Sequence, residues 1–241
     1  MGRDGAIWVL KAGEALEPVR AVRGDFELWI AHGLGFEVEA IEVTSPFVGE
    51  ALPDPARVGG VVVTGSPAMV SDREAWSEAS GRWLAEIVEG DRAPVLGICF
   101  GHQLIAQALG GEVARNPRGR EMGTVEVTLE AAALDADPLL RPGRIPAHMS
   151  HLESVLRPPP DAVVVASTAL EPHAAMRFGP RQWGVQFHPE FDRDIMQRYV
   201  EARREALVEE GFEPNAIARR ARDTPESAAV LRRFASIVSG D

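Results

Sequence analysis

The sequence predicts an α/β fold in which a doubly wound, mostly parallel sheet continues into antiparallel strands. As far as Gly111, short apolar runs alternate with stretches of helical periodicity, which is typical of parallel strands joined by helices. Beyond Gly111, strand-like runs follow one another with short connections, as expected for antiparallel pairing. A chain of 241 residues also buries enough apolar surface to support such a fold without disulfide bonds.

The elements of the first half follow from apolar periodicity. Four runs are short and apolar, or alternate between apolar and polar residues, and we predict them as strands: 6–10, 36–43, 58–64 and 94–98. Three other segments place their apolar residues on one helical face, and we predict them as helices: 25–35, 72–89 and 100–111. Gly33 or Gly35 ends the first helix, and the glycine pair at 110–111 ends the third.

The second half is predicted to be mostly strand before it returns to helix. Five strand-like runs occur in order: 123–129, 143–150, 161–168, 173–178 and 181–188. One helix is predicted over 192–210 and another from Thr224, a good cap that is followed by proline. Because the chain has no linker, repeat or low-complexity tract, we predict a single domain over 1–241, on which the helices of about 192–241 pack.

Composition excludes several classes of function. The formal net charge of −11 argues against nucleic acid or an anionic membrane as the main partner. Lys11 is the only lysine, and its sequence context excludes a P-loop, which requires Gly-Lys followed by Ser or Thr. The same observation leaves no lysine suited to Schiff-base chemistry.

Cysteine usage and hydropathy indicate a compartment. Cys99 is the only cysteine, so the chain forms no internal disulfide, as is usual in a reducing compartment. The apolar run near the N-terminus is too short for a signal peptide, and no apolar stretch approaches the length of a membrane span. We therefore predict a cytoplasmic protein.

Cys99 lies in the pattern Gly97-Ile98-Cys99-Phe100-Gly101, between a predicted buried strand and a predicted helix. This is the form of a nucleophile elbow, in which the nucleophile occupies a strained turn and the glycines avoid clashes. The N-terminus of the following helix favours a thiolate, and the backbone N–H of Phe100 faces the place where an oxyanion would form. The alternative is a buried, inert cysteine.

A general base is needed beside such a nucleophile, and His188 is the strongest of the six histidines. It ends a predicted strand, and Pro189 turns the chain so that Glu190 can fold back and orient the imidazole. The alternative is a turn histidine beside a solvated glutamate. The other histidines lie in helices, in a loop, or in the run 147–154: His32, His102, His173, His148 and His151.

Two further segments are candidates for lining the site. His148, His151 and Glu153 have a spacing that suits a metal pair, but one cysteine and no dense carboxylate cluster favour a pocket wall, so we predict no metal and no cofactor. The turn after the 58–64 strand contains Gly65 and Ser66, whose backbone N–H groups would lie at the carboxyl edge of the sheet, where ligands bind in such folds.

Together these pieces resemble the class I glutamine amidotransferase family. Four stretches carry the resemblance, in the family's order: Thr-Gly-Ser-Pro at 64–67, Gly-Ile-Cys-Phe-Gly-His-Gln at 97–103, Met-Ser-His at 149–151 and His-Pro-Glu at 188–190. The chain is most similar to stand-alone members related to the amidotransferase half of GMP synthase and to γ-glutamyl peptidases. The resemblance implies the family's three-layer, flavodoxin-like fold.

The resemblance also implies roles for individual residues. It implies a catalytic triad of Cys99, His188 and Glu190 and an oxyanion hole made by the backbone N–H groups of Ser66 and Phe100. It places the substrate glutamine against four positions: Gly65, Gln103, Ser150 and His151.

The chain differs from the family pattern at two places. Ser66 stands where many members have glycine, and His151-Leu152-Glu153 stands where GMP synthases have His-Gly-Asp. The second difference argues against identity with GMP synthase and against coupling of this loop to a synthetase partner.

Three functions follow from the resemblance. The first is an amidotransferase that passes ammonia to a synthetase in another chain, since this one has neither a P-loop nor a Ser-Gly-Gly-x-Asp-Ser motif. The second is a γ-glutamyl hydrolase that acts alone on γ-glutamyl peptides, with Arg118 and Arg120 as candidate carboxylate contacts. The third is a regulatory module without catalysis.

Overall fold

The computed structural model describes residues 6–240. Its strands, in chain order, are β1 (Ile7–Leu10), β2 (Glu42–Thr44), β3 (Gly60–Val63), β4 (Val95–Ile98), β5 (Glu112–Arg115), β6 (Glu121–Leu129), β7 (Gly143–His151), β8 (Glu153–Arg157), β9 (Val163–Ser167), β10 (Ala175–Gly179) and β11 (Gln182–Val185). The helices are α1 (Glu17–Arg23), α2 (Phe26–Leu34), α3 (Ala75–Glu89), α4 (Phe100–Ala108), α5 (Arg193–Ala202), α6 (Arg204–Glu209), α7 (Pro214–Arg220) and α8 (Pro225–Ser239).

One mixed sheet organises the fold. Nine strands lie side by side in the order β2-β1-β3-β4-β11-β10-β9-β6-β7. The strands from β2 to β11 in this order are parallel, and those from β11 to β7 pair antiparallel. The predicted α/β class, with a parallel core and an antiparallel extension, is therefore confirmed.

Helices cover both faces of the parallel strands, which gives three layers. Alternate residues of each strand enter opposite cores, because successive side chains of a strand point to opposite faces. Val62 and Leu96 pack in the core that α2 and α8 cover, whereas Val61 and Val95 pack in the core that α3 and α4 cover. Burial of two apolar faces explains why these strands read as continuous apolar runs.

Several predicted elements differ from the structure. The segment 36–43 alternates like a strand but forms a 3₁₀ turn, Val38–Ala40, followed by the short strand β2 at the sheet edge. The run 181–188 was expected in the antiparallel extension, yet β11 pairs parallel with β4 and belongs to both parts of the sheet. Helices α1 and α7 and the small antiparallel sheet of β5 and β8 have no counterpart in the sequence prediction.

The predicted helix over 192–210 is two helices. The backbone of Arg203 (φ −105°, ψ 13°) ends α5 and begins α6. A local change at one residue does not interrupt the apolar periodicity, so the sequence pattern does not reveal it. Among the described residues, no helix has the length and apolar character needed to cross a membrane.

Candidate active site

The segments that carry the predicted site residues meet at the carboxyl edge of the parallel strands. β1, β3, β4 and β11 are neighbours in the sheet, and because they run in parallel, the residues that follow them meet at one edge. Cys99 directly follows β4, Gly65 and Ser66 follow β3, and His188 follows β11. The fold therefore brings together three segments that are distant in sequence.

Cys99 has a strained backbone. Its φ of 51° and ψ of −102° are unusual for a residue with a side chain, and such strain costs about 1–3 kcal/mol. The neighbouring glycines permit the turn, because a Cβ on Gly97 would lie 2.6 Å from the carbonyl carbon of Gly101. A Cβ on Gly101 would lie 2.6 Å from the carbonyl oxygen of Val63. Such an elbow positions a nucleophile at the end of a strand.

The backbone around Cys99 is held from both sides. Its N–H donates to the carbonyl oxygen of Val185 in β11 at 2.8 Å, and its carbonyl accepts from Gln103 in α4 at 3.1 Å. Phe100 is the first residue of α4, and the N–H groups of a first helical turn have no partner within the helix. The sulfur therefore lies at a helix N-terminus, where a negative charge is favoured.

His188 and Glu190 form a buried pair. Nδ1 of His188 lies 2.7 Å from Oε1 of Glu190, and both side chains are almost completely buried. Burial in itself lowers the pKa of His188, but the charges of Glu190 and Cys99 outweigh it and raise the pKa to about 10. Phe191 stacks on the imidazole at a centroid distance of 4.1 Å. These contacts fix the ring and favour its protonated form.

The second ring nitrogen of His188, Nε2, lies on the side of Cys99. Nε2 is buried and has no partner that meets full hydrogen-bond geometry among the described residues, although Cys99 is close enough to contribute to the raised pKa. Gly65 lies against the same ring, since a Cβ there would be 3.1 Å from Cε1 of His188. Cys99, His188 and Ser66 line one small pocket, which we call the inner pocket; its wall also includes Ser150, Tyr199, Arg203 and Glu14.

The loop after β3 is fixed by two hydroxyl groups. Thr64 Oγ1 accepts from the N–H of Ala12 at 2.9 Å and donates to the carbonyl of Gly65 at 2.7 Å. Ser66 Oγ donates to the carbonyl of Ala12 at 2.8 Å and accepts from the N–H of Ala68 at 3.0 Å. Because the C=O and N–H of a trans peptide point in opposite directions, the Ser66 N–H points away from Thr64.

The predicted substrate contacts occupy different surroundings. Ser150 lines the inner pocket, and its buried hydroxyl has no partner among the described residues. Gln103 uses its amide nitrogen within the protein, donating to the carbonyl of Glu153 at 2.7 Å and to Oε1 of Gln186 at 2.9 Å. His151 is buried, with Nε2 3.2 Å from Glu121 and Nδ1 2.9 Å from the Glu153 carbonyl.

Glu153, which ends the tripeptide that differs from the GMP synthase pattern, binds the loop after β3. Its carboxylate accepts from the hydroxyl of Ser71 and, at 3.3 Å, from the Ser71 N–H. This contact links β8, of which Glu153 is the first residue, to the segment between β3 and α3 that carries Ser66.

The remaining histidines have no catalytic surroundings. His102 is fully buried, and desolvation is the main cause that lowers its pKa to about 3. His148 is also buried; desolvation, followed by the charge of His188, lowers its pKa to about 4. His173 contacts the carbonyl of Val155 at 2.6 Å, and His32 is exposed on α2. Over residues 6–240, no group of three or more His, Cys, Asp or Glu side chains has the arrangement of a metal site.

Arg118 and Arg120 are the predicted carboxylate contacts for a substrate. In the structure, both bind groups of the protein itself. Arg120 makes a two-pronged ion pair with Glu210 at 2.7 and 2.9 Å. Arg118 donates to the carbonyl of Ala169 at 3.3 Å. Three charged or polar residues of the inner pocket were not singled out from the sequence: Glu14, Tyr199 and Arg203.

The sequence around Glu14, Tyr199 and Arg203 contains no pattern that predicts a functional site. Tyr199 and Arg203 have the helical spacing of four residues within a charged helix, and Glu14 lies in an ordinary loop.

Similarity to known proteins extends over most of the chain. The family profile "Glutamine amidotransferase class-I" matches residues 29–203. "GMP synthase [glutamine-hydrolyzing]" of Aeropyrum pernix is 42% identical over 175 residues, which are 69% of this chain and 31% of that protein. A glutamine-hydrolyzing GMP synthase subunit from Ignicoccus hospitalis is 36% identical over 162 residues, which are 62% of this chain and 78% of that protein. The chain thus spans about a third of the length of the first curated relatives it matches.

Solved structures share the fold. A glutamine amidotransferase from Thermotoga maritima superimposes with a TM-score of 0.77 at 21% identity, covering 98% of this chain and 99% of that one. A glutamine amidotransferase from Methylobacillus flagellatus superimposes with a TM-score of 0.69 at 20% identity, covering 98% of this chain and 93% of that one.

Proposed function

The chain belongs to the class I glutamine amidotransferase family, and we propose that Cys99, His188 and Glu190 are its catalytic triad for hydrolysing the γ-amide of glutamine. One observation carries the proposal. His188, paired with the buried Glu190, shares the inner pocket with the strained Cys99 and retains an unpartnered ring nitrogen there. Nucleophile, base and orienting carboxylate are the three parts that such a mechanism requires.

The proposed reaction has two steps. The Cys99 sulfur attacks the γ-carbonyl carbon of glutamine, and the N–H groups of Ser66 and Phe100 donate to the developing oxyanion. Protonated His188 transfers its proton to the departing nitrogen, so ammonia leaves and a γ-glutamyl thioester remains. His188 then takes a proton from water, the resulting hydroxide attacks the thioester, and glutamate and free Cys99 are released.

A synthetase partner in another chain is the first form of this proposal. It is supported by the relatives named GMP synthase, of which the chain spans about a third, and by the relative that is named as one subunit of GMP synthase. In that assembly, the ammonia released from glutamine at Cys99 would pass to the partner. We further propose that the protein works in the reducing cytoplasm, where its single cysteine stays a thiol.

The second candidate is a γ-glutamyl peptidase that acts alone. It is favoured by an open groove beside the inner pocket, which we call the outer groove. The outer groove shares Glu14, Ser66 and Pro67 with the inner pocket and continues past Phe47 and Trp76. A groove that begins beside the scissile bond offers space for a leaving group larger than ammonia.

Covalent labelling tests the nucleophile. A glutamine-like diazo-ketone should add one equivalent of mass to the protein, and the adduct should be absent from Cys99→Ala. Because Cys99 is the only cysteine, the labelled thiol is unambiguous. Release of glutamate from glutamine, or from a γ-glutamyl dipeptide, should also be lost in Cys99→Ala. Turnover in Cys99→Ala would refute the mechanism.

A further inference from the structure

Arg203 places a guanidinium whose Nε lacks a hydrogen-bond partner in the inner pocket. The break between α5 and α6 occurs at this residue, and its side chain lines the pocket together with Cys99. Its Nε is buried and has no hydrogen-bond partner among the described residues. An unpaired buried N–H of a cation is costly, so a site that keeps one is prepared for an anion.

The carboxylate of Glu210 attracts Arg203 but makes its hydrogen bonds with Arg120. Both of its oxygens accept hydrogen bonds from Arg120, at 2.7 and 2.9 Å. Burial is the main cause that lowers the pKa of Arg203, and the charge of Arg120 lowers it further, while the charges of Cys99 and Glu210 oppose this. Both oxygens of Glu210 thus serve Arg120, and the Nε–H of Arg203 remains available to a ligand.

Glu14 supplies the opposite charge at the mouth of the inner pocket. It lies in the loop after β1 and lines both the inner pocket and the outer groove. Its carboxylate is half-exposed and pairs with Arg20 at 2.8 Å, so one face remains open to a ligand. Apart from Cys99 and His188, Glu14 and Arg203 are the two charged side chains among the described residues that line this pocket.

We propose that Arg203 binds the α-carboxylate and Glu14 the α-ammonium group of the substrate's glutamyl moiety, an inference that rests on the proposed function. The γ-carbonyl of a glutamyl compound reacts at Cys99, and its other end carries one negative and one positive charge. A guanidinium and a carboxylate complement these charges. The pair makes the site selective for γ-glutamyl compounds with a free amino-acid end.

The test combines variants with substrates that lack one charge. Arg203→Gln, Arg203→Lys and Glu14→Gln are assayed with L-glutamine, with its α-amide and with 4-carbamoylbutanoate, which lacks the amino group. Arg198→Gln is the matched control, because Arg198 lies on α5 and pairs with Asp194 outside the pocket. Melting temperatures establish that each variant is folded.

Arg203→Gln should raise KM for glutamine by about 10- to 100-fold, the usual effect of losing a charged hydrogen bond, with little change in kcat. The same substitution should leave kcat/KM for the α-amide almost unchanged, and Arg203→Lys should restore part of the loss. Glu14→Gln should raise KM for glutamine but not KM for 4-carbamoylbutanoate. Arg198→Gln should have wild-type kcat and KM values for all three substrates.

An equal loss on glutamine and its α-amide would overturn the inference, because Arg203 would then act on Cys99 rather than on the carboxylate. If the wild type hydrolysed none of the substrates, the proposed function would fail separately. Calorimetric binding of glutamine to Cys99→Ala would then decide the inference. Equal Kd values for glutamine and its α-amide would refute it, and weaker binding of the α-amide that disappears with Arg203→Gln would support it.

Discussion

His188 is held in its charged form by two neighbours. Glu190 contacts Nδ1 at 2.7 Å, and the charge of Cys99 adds to its effect, so the pKa rises from 6.5 to about 10 although burial opposes this. A folded-state pKa above the unfolded value means that the folded protein binds the proton more tightly. The resulting stabilisation is fully present below pH 6.5 and is lost as the pH rises through about 10.

We therefore predict a pH-dependent stability that Glu190 controls. Between pH 6.5 and 10, the free energy of unfolding of the wild type should fall by up to about 1.4 kcal/mol per pH unit relative to Glu190→Gln. Urea unfolding at several pH values measures this difference. The exposed His32 provides a control, since His32→Asn should keep the wild-type slope. Parallel curves for wild type and Glu190→Gln would show that the pair does not hold the proton.

The triad proposal makes a second prediction at this scale. His188→Ala should abolish turnover, because no other histidine shares the inner pocket among the described residues. Glu190→Gln should keep a residual rate, with kcat lowered by about 30- to 10⁴-fold, because an orienting carboxylate supplies only part of the barrier reduction. Steady-state kinetics on the better substrate measures both. Near-wild-type rates in the two variants would assign the base to another residue.

The hydroxyl of Ser66 has a structural role. It bridges the loop after β1 and its own loop through Ala12 and Ala68. We predict that Ser66→Ala lowers kcat by about 5- to 30-fold with little change in KM, because about 1–2 kcal/mol of hydrogen bonding no longer positions the Ser66 N–H. Ser239→Ala, which removes a hydroxyl bonded within α8, is the control. A change confined to KM would contradict this role.

At the scale of elements, the elbow depends on close contact between β4 and α4. Gly97→Ala would place a Cβ 2.6 Å from backbone atoms of Gly101, which cannot move without displacing α4. We predict destabilisation by more than about 3 kcal/mol, seen as a lower Tm or as failure to fold. Gly81→Ala is the matched control, because a Cβ in α3 would meet only side chains at 3.4 and 3.5 Å, and it should preserve or raise the Tm. Equal Tm values for the two variants would refute the close-contact argument.

At the scale of the whole molecule, the two candidate functions differ in the leaving group. We predict that the isolated chain hydrolyses glutamine slowly and a γ-glutamyl dipeptide faster, because the outer groove shares wall residues with the inner pocket. A synthetase partner should raise the rate on glutamine if the chain works within such an assembly. The measurement is kcat/KM for both substrates on the purified chain. Rapid unassisted hydrolysis of glutamine with no activity on the dipeptide would indicate a plain glutaminase instead.

The sequence by itself determined the fold class and the proposed nucleophile. Buried strands and amphipathic helices follow from periodicities that a few consecutive residues display. The elbow is equally local, since the offsets of Gly97 and Gly101 from Cys99 meet a steric requirement within five residues. His188 and Glu190 are separated by one proline, so their pairing is also nearly local.

Only the tertiary structure decided which distant groups meet. β11 joins β4 in parallel through hydrogen bonds between segments far apart in sequence, which a strand pattern does not specify. Arg120 finds its partner in Glu210, and the buried Nε of Arg203 has no hydrogen-bond partner among the described residues. The break between α5 and α6 that places Arg203 there leaves the helical periodicity intact. Such contacts depend on how whole elements pack, because charge pairing and burial act through space rather than along the chain.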